Sequence, residues 1–522
     1  MAKKILVIDD DPLVTKTLVK YLKSCGYEIE SAFSGKEAIK KVEDSLFNLI
    51  IADIRMPGMD GLETIKKLRD ISQDKYKTKI PEIVITGYAS EESKKEAEEL
   101  GVLAYIYKPF DKDEFLEAIK TSLKIGSQIE FQGVKGIPLA DNKTLIDNFI
   151  KEQTEQSKRL ILNKKFPIMG WCNTYVPEEI IIAAGFLPYR VMGAPISLSL
   201  SKTYLSGNLC GSVQSILECA LRGDYNFLDG MIIGASTDAT KRLYDAWIRY
   251  INTQFCHLFD IPKFINDDAN THYMESIHSL IEEFEKHFKI KVSNSDIKEA
   301  ISICNKTRKF LTELNNLRKM DNPSISSQQF LEVCKLAMVS NKIDFNDSLE
   351  TLLSQIKPGK EDRQGLRILL TGSFQDQPWL LDIIEEKGGI VVCEDFCTRL
   401  RYFTGSVDED TDLIRAIARR YLKVKPASAS LVSIDQRADY LLKLIREFNI
   451  DGVIYYILKF DDPYLFEFPD MKETLTSHNI PVLRIETEHN TSAMGQIMTR
   501  VQAFIETLKL AKSRKTVALL TQ

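Results

Sequence analysis

Three aspartates in the first part of the chain have the chemistry of a metal site. Asp9 and Asp10 follow the short apolar run 4–8, and Asp53 follows the apolar run 48–52. Carboxylates that crowd together repel one another unless a hard divalent cation bridges them, and Mg²⁺ prefers such oxygen ligands while it keeps several waters. If the chain folds so that these side chains converge, the sequence predicts a magnesium site.

The same carboxylates, together with Thr86 and Lys108, also suit phosphoryl transfer. A bound metal neutralises charge on an incoming phosphoryl group, so the carboxylate of Asp53 can attack phosphorus as a nucleophile. The Thr86 hydroxyl can then donate to one phosphoryl oxygen, and the Lys108 ammonium can pair with another. Each residue alone has an ordinary structural explanation, such as helix capping by Asp9 and Asp10, so the prediction depends on all five residues meeting.

An alternation of strands and helices would bring these residues together. Strand patterns occupy 4–8, 27–32, 48–52, 82–86 and 102–106, with helical spacing between them and a last helix at 113–123. This alternation predicts an α/β domain over residues 1–124, with a doubly wound parallel sheet of five strands and helices on both faces. The C-terminal ends of parallel strands meet at one edge, where sites form in such sheets.

Residues 1–124 resemble the response-regulator receiver family of two-component (phosphorelay) signalling. The resemblance is carried by IDDD at 8–11, DIRMPGMDG at 53–61, ITGY at 85–88 and YIYKPF at 105–110. It implies that Asp53 is phosphorylated by a histidine kinase or a phosphotransfer protein. It also implies that the backbone carbonyl of Arg55 completes the Mg²⁺ site, and that Thr86 and Tyr105 change position with phosphorylation.

Composition argues against several other classes of protein. The chain has 522 residues, a formal net charge of −5 and interleaved acidic and basic residues, so no basic face is expected to bind nucleic acid. The first apolar run is too short for a signal peptide, and no apolar stretch approaches the ~18 to 20 residues that cross a bilayer. We therefore expect a cytoplasmic protein without a membrane segment. Its nine cysteines are scattered along the chain, which favours buried thiols or metal ligands over a disulfide framework.

The remaining residues predict a linker and two further α/β lobes. Glycines and a proline interrupt the pattern after residue 124, and an amphipathic helix follows, so we interpret 125–164 as a linker with a connecting helix. Strand and helix patterns and then a mostly helical section predict a first lobe over 165–355. A second series of strands and helices predicts a second lobe over 356–515. We expect both lobes to be Rossmann-like and to be joined by the helical section.

This second part of the chain resembles the 2-hydroxyacyl-CoA dehydratase and benzoyl-CoA reductase subunit family. The blocks that carry the resemblance are WCNTYVPEEIIIAAGFLPYRVMG at 171–193, NLC at 208–210, DGMIIGASTDATKRLYD at 229–245, EDFCTRLRYF at 394–403, DGVIYYILKFDDP at 451–463 and ETEHNTSAMGQIMTRVQAFIE at 486–506. They occur in the order of the family, which implies its fold. Function must still be argued from the site, because one fold hosts many activities.

The second resemblance implies a [4Fe-4S] cluster, which members of that family hold on three cysteine thiolates. Thiolates are soft, anionic donors that suit iron. Block by block, Cys210 falls at the first ligand position and Cys397 at the third, whereas Asp238 occupies the place of the second cysteine. Cys172 or Cys393 is an alternative ligand, because Cys172 lies within a family block and Cys393 directly precedes one, both at predicted strand ends.

Carboxylates replace family cysteines at two positions, so two functional interpretations stay open. Besides Asp238, Asp461 stands in KFDDP where many relatives have KFCDP, and a harder donor favours a less stable cluster. We therefore predict a response regulator phosphorylated on Asp53 with a dehydratase-like output region. The alternative is an iron–sulfur acyl-CoA dehydratase or reductase subunit that the receiver controls. That alternative implies a homologous second subunit and an ATP-dependent activator as partners.

Overall fold

The chain folds as two compact units, residues 1–138 and 139–522. A computed structural model describes residues 3–54, 56, 59–76, 80–86, 102, 104–107, 115–116, 118–119, 122–123, 141–357, 359, 365–373, 376, 378–410, 412–424, 433–489 and 493–520. The finer boundaries at residues 124, 164 and 355 stay a prediction.

The first unit contains a five-stranded parallel sheet. Its strands are β1 (Lys4–Ile8), β2 (Glu28–Ala32), β3 (Leu49–Asp53), β4 (Glu82–Thr86) and β5 (Ala104–Tyr107), and its helices are α1 (Pro12–Ser24), α2 (Gly35–Asp44) and α3 (Gly61–Tyr76). The strand order is β2-β1-β3-β4-β5. Separate apolar layers cover the two faces of the sheet, and β3 is buried along its whole length, as a strand covered on both faces must be. The predicted doubly wound sheet is confirmed.

The second unit begins with a long helix and a four-stranded parallel sheet. These elements are α4 (Asn142–Asn163), β6 (Ile168–Cys172), α5 (Glu178–Ala183), β7 (Leu187–Arg190), α6 (Ser201–Tyr204), α7 (Gly211–Arg222), β8 (Gly230–Ala235), α8 (Asp238–Tyr250) and β9 (Phe255–Asp260). The sheet has the order β7-β6-β8-β9. The sequence patterns do not indicate α7 or β9, whereas they do predict β6, β8 and α8.

A helical section follows this first sheet. It consists of α9 (Asp267–Phe288), α10 (Asn294–Asn316), α11 (Ser327–Ala337) and α12 (Lys342–Gln355). The helix α4 packs onto this section, since the rings of Phe149 and Phe345 meet edge to face at 5.7 Å and the hydroxyls of Ser157 and Ser340 lie 2.8 Å apart. The connecting helix of the sequence interpretation is therefore part of the second unit's own packing.

A second four-stranded parallel sheet completes the second unit. Its elements are β10 (Leu366–Gly372), α13 (Trp379–Glu386), β11 (Gly389–Asp395), α14 (Leu400–Phe403), α15 (Leu413–Arg419), a π-helix (Arg420–Val424), α16 (Ile434–Glu447), β12 (Gly452–Leu458), α17 (Asp462–Ser477), β13 (Val482–Thr487) and α18 (Met494–Leu520). The order is β11-β10-β12-β13. Two α/β lobes joined by helices are therefore confirmed. In the described part of the chain, no helix is both long and apolar enough to cross a membrane.

All three sheets share one arrangement of their first four strands. In each sheet the first strand lies between the second and the third, so the connections leave to opposite sides at this point. In open parallel sheets, ligands bind outside the carboxyl ends of the strands at such a switch point. The ends of β1 and β3 in the first unit, and of β6 and β8 in the second, are thus the expected places for sites.

Candidate functional site

The predicted carboxylates of the first unit converge at its switch point. Asp9 follows β1, and Asp53 is the last residue of β3, the neighbouring strand. Carboxylate oxygens of Asp9, Asp10 and Asp53 all lie within 4.8 Å of one another. This spacing places like charges close enough to hold a divalent cation between hard oxygen donors, as the sequence predicts.

Local contacts hold these carboxylates in place. The Asp11 backbone N–H donates to Oδ1 of Asp9 at 2.9 Å, and the Thr15 hydroxyl donates to the Asp9 carbonyl oxygen at 3.0 Å. Gly61 begins α3 directly against β3, where its N–H donates to the Ile54 carbonyl oxygen at 2.9 Å. A Cβ atom at Gly61 would overlap the carbonyl oxygen of Asp53, so glycine is needed for this close approach.

The other predicted receiver residues are only partly described. Thr86 ends β4 and lies one residue beyond Ile85, which pairs with Asp53. Tyr105 lies in β5. The side chains of Thr86 and Tyr105, and the whole of Arg55 and Lys108, lie outside the described residues.

In the second unit, a cavity of about 160 Å³ opens between the carboxyl ends of the two sheets. Its walls come from the ends of β6, β7 and β8, the start of α7, and the loops after β11 and β12. The residues that line it include Cys172, Arg190, Cys210, Ser236, Thr237, Cys397, Arg401 and Asp461. Three of the nine cysteines therefore line one cavity.

Two of the three cavity thiols are strongly held in the neutral form. Burial raises the pKa of Cys210 to about 12, and the nearby Asp461 carboxylate adds to the shift. Burial also raises the pKa of Cys172 to about 11, against an opposing effect of Arg190. Both groups are therefore thiols at neutral pH in the metal-free protein, and a metal would release their protons on binding.

Asp461 is the carboxyl group of this cavity. Burial raises its pKa to about 6, although a hydrogen bond from Ser373 and the charge of Arg401 oppose the shift. Arg401 itself is fully engaged elsewhere, because its Nε and Nη2 donate to the two oxygens of Asp395 at 2.8 and 2.7 Å. Asp461 therefore titrates close to neutral pH.

Arg190 is a buried cation in the wall of the cavity, and few groups of the described residues accept hydrogen bonds from it. It is 5 % exposed, and its guanidinium carbon lies 4.4 Å from the centroid of the Trp171 ring. Its Nη2 donates to Sγ of Cys397 at 3.9 Å. In the part of the chain that the structure describes, its buried Nε and Nη1 have no hydrogen-bond partner. A buried cation in this state favours an anionic group nearby.

Comparison with known proteins assigns both units. Residues 173–508 match the family model of the D-component of 2-hydroxyglutaryl-CoA dehydratase, and residues 5–120 match that of the response regulator receiver domain. The chain belongs to the 2-hydroxyglutaryl-CoA dehydratase D-component family. Its N-terminal unit carries a response regulator receiver domain. Both resemblances noted in the sequence are therefore confirmed.

Individual relatives match one unit or the other. The (R)-phenyllactyl-CoA dehydratase beta subunit of Clostridium sporogenes is 27 % identical, over 70 % of this chain and 98 % of its own length. The beta subunit of (R)-2-hydroxyglutaryl-CoA dehydratase from Acidaminococcus fermentans is 26 % identical, over 73 % of this chain and 98 % of its own. The transcriptional regulatory protein CrdR of Helicobacter pylori is 36 % identical over 23 % of this chain and 54 % of its own. The dehydratase-like region is thus matched over nearly the full length of such subunits.

Of the proposed cluster residues, Cys210 and Cys397 meet in the cavity but Asp238 does not join them. The Asp238 side chain is 73 % exposed and pairs with Arg242 at 3.4 Å in the first turn of α8. Its predecessor Thr237 lines the cavity instead. Cys393 is buried in β11 and is not among the cavity residues.

Sequence reasoning missed Arg190 and left Cys172 as an alternative. Arg190 was not among the predicted site residues, although a charged residue in the otherwise apolar segment GFLPYRVMG was a usable signal. Cys172 was an alternative to Asp238, and the structure brings Cys172 to the cavity. It lies there because β6 ends next to β8, at the switch point of the sheet.

Proposed function

We propose that this protein is a two-component response regulator that is phosphorylated on Asp53 and has a dehydratase-like output region. The single observation that carries the proposal is the meeting of the Asp9, Asp10 and Asp53 carboxylates within 4.8 Å at the end of the receiver sheet. The phosphodonor would be a histidine kinase or a phosphotransfer protein. These partners follow from the receiver domain.

The donor set fits Mg²⁺, because it consists of carboxylate oxygens. Asp9, Asp10 and Asp53 would hold the ion with the backbone carbonyl of Arg55, and the ion would supply charge neutralisation for an incoming phosphoryl group. A carboxylate oxygen of Asp53 attacks phosphorus, the bond from phosphorus to the donor breaks, and an acyl phosphate forms on Asp53.

The test is labelling of the full chain by a small phosphodonor in the presence of Mg²⁺. We expect one label per chain in the wild type and none in Asp53→Asn. Asp60→Asn is the matched control, since Asp60 caps α3 through the Glu63 N–H at 2.7 Å and asparagine caps equally well. Label that persists in Asp53→Asn would refute the assignment.

A second candidate function is favoured by the three cysteines that line one cavity. In it, the dehydratase-like region is an iron–sulfur subunit of an acyl-CoA dehydratase or reductase, and the receiver controls its activity. The partners would be a homologous second subunit and an ATP-dependent activator. The cluster would supply single electrons to an acyl-CoA. Iron and sulfide analysis after anaerobic purification tests this candidate, and a colourless, iron-free protein would contradict it.

A further inference from the structure

We propose that Cys172 provides the third thiolate of an iron–sulfur site in the second unit, together with Cys210 and Cys397. This inference rests on the second candidate function and assigns its ligands. The thiol that the family pattern places after β8 would be replaced by a thiol at the end of the neighbouring strand β6. All three cysteines line the same cavity.

The backbone geometry explains how a thiol on β6 can take the place of a thiol in the loop after β8. Cys172 is the last residue of β6, and it pairs in register with Ile233 of β8. A hydrogen bond from the Gly234 backbone reaches the Cys172 sulfur, so this sulfur lies beside the end of β8. The cavity wall formed by the loop after β8 is therefore within reach of a side chain from β6.

The loop after β8 has hydroxyls where a thiol ligand would be needed. The Thr237 hydroxyl accepts from the Thr240 N–H at 3.3 Å and so caps α8. The Ser236 hydroxyl accepts a hydrogen bond from the side chain of Asn173. Soft thiolates, rather than hydroxyls, select iron–sulfur clusters, and the exposed Asp238 lies outside the cavity. Cys172 is the remaining soft donor on this wall.

The unbalanced charge of Arg190 is a second, independent indication of an anionic occupant. An iron–sulfur cluster held by three thiolates would carry a net negative charge, which hydrogen bonds and nearby cations would stabilise. Arg190 donates to the Cys397 sulfur and has two buried nitrogens without a partner among the described residues. The cavity therefore supplies both the soft donors and the counter-charge that such a group requires.

The other six cysteines provide internal controls. None of them lines the cavity, although Cys219, Cys256, Cys304, Cys334 and Cys393 all belong to the same unit. Cys256 is the best matched, because it lies in β9 of the same sheet as Cys172.

The experiment is anaerobic reconstitution of the full chain with iron and sulfide, followed by metal analysis and visible and electron paramagnetic resonance spectra. We expect Cys172→Ala to weaken iron binding by about tenfold or more, since even outer-shell partners are worth that much in metal affinity. Cys256→Ala should bind iron as the wild type does. Tryptophan fluorescence and circular dichroism establish that each variant is folded.

A relocated thiol separates ligation from general damage to the fold. Adding Thr237→Cys to Cys172→Ala should restore iron binding, because Thr237 faces the cavity. Adding Asp238→Cys should not restore it. Full iron binding by Cys172→Ala would overturn the ligand assignment while the second candidate function stood. Restoration of iron binding by Asp238→Cys but not by Thr237→Cys would overturn it in the same way. A wild-type protein without iron would overturn both, and Asp53 labelling would be unaffected.

Discussion

Replacement of Asp461 by asparagine should stabilise the second unit, and more at neutral and alkaline pH than in acid. Burial favours the protonated carboxyl, so its pKa in the folded protein is about 6 rather than the ordinary 3.8. A raised carboxyl pKa means that the folded state binds more protons than the unfolded state between these values. Stability therefore falls as the pH rises through this window. Asparagine has the same shape and no charge to desolvate.

The magnitude follows from the size of the shift. A change from 3.8 to about 6 corresponds to about 3 kcal/mol in total, at about 1.4 kcal/mol per pKa unit. Part of this cost is already present in mild acid. We expect the advantage of Asp461→Asn over the wild type to grow by about 2 kcal/mol between about pH 4.5 and about pH 8.

Urea unfolding of iron-free protein, followed by tryptophan fluorescence, measures this difference. The three tryptophans of the chain are Trp171, Trp247 and Trp379, so the signal reports on the second unit alone. Asp462→Asn removes the same charge from an exposed neighbouring position and is the matched control. An advantage of Asp461→Asn that is equal at both pH values would refute the argument from burial.

Two further predictions concern buried contacts, one in each unit. Gly61→Ala should cost the receiver about 1–3 kcal/mol through overpacking, because the new Cβ overlaps the Asp53 carbonyl oxygen; faster amide exchange in β3 and weaker phosphodonor labelling would show it, and unchanged exchange would contradict it. Glu179→Gln should destabilise the second unit by about 3–5 kcal/mol in urea, because it leaves the buried Arg308 without its carboxylate partner. Burial raises the pKa of Glu179, but Arg308 and Arg420 outweigh it and hold the pKa below its usual value, so this loss should be greatest above about pH 5 and shrink in acid.

The strands were largely predictable, and the missed elements have physical reasons. Strands such as β3 and β12 are buried on both faces and therefore appear as continuous apolar runs. Helix α7 was missed because its buried face carries polar residues. Glu218 is fully buried there, and it accepts hydrogen bonds from the Ser199 and Ser201 N–H groups and from Arg222. A pattern of apolar spacing does not detect a buried acid whose hydrogen bonds are all formed within the protein.

The candidate sites were predictable to within one residue where a strand end fixes the position. Asp9 and Asp53 are at strand ends, and they meet as the alternation of strands and helices requires. At the start of α8 the chain turns, so Thr237 faces the cavity while the next residue, Asp238, points to solvent. Spacing along the sequence cannot resolve that one-residue difference, and it cannot show that Cys172 lies beside this turn.

The same backbone topology thus places two different sets of candidate metal donors at equivalent positions in one chain. In both the receiver sheet and the first sheet of the second unit, the first strand lies between the second and third, and the candidate site forms at the switch point. Carboxylates follow β1 and end β3, so that site suits a hard cation such as Mg²⁺. A thiol ends β6, and hydroxyls follow β8. In the proposed iron–sulfur site, Cys172 is the soft donor at these strand ends. Without this residue the ends of β6 and β8 offer only hard donors.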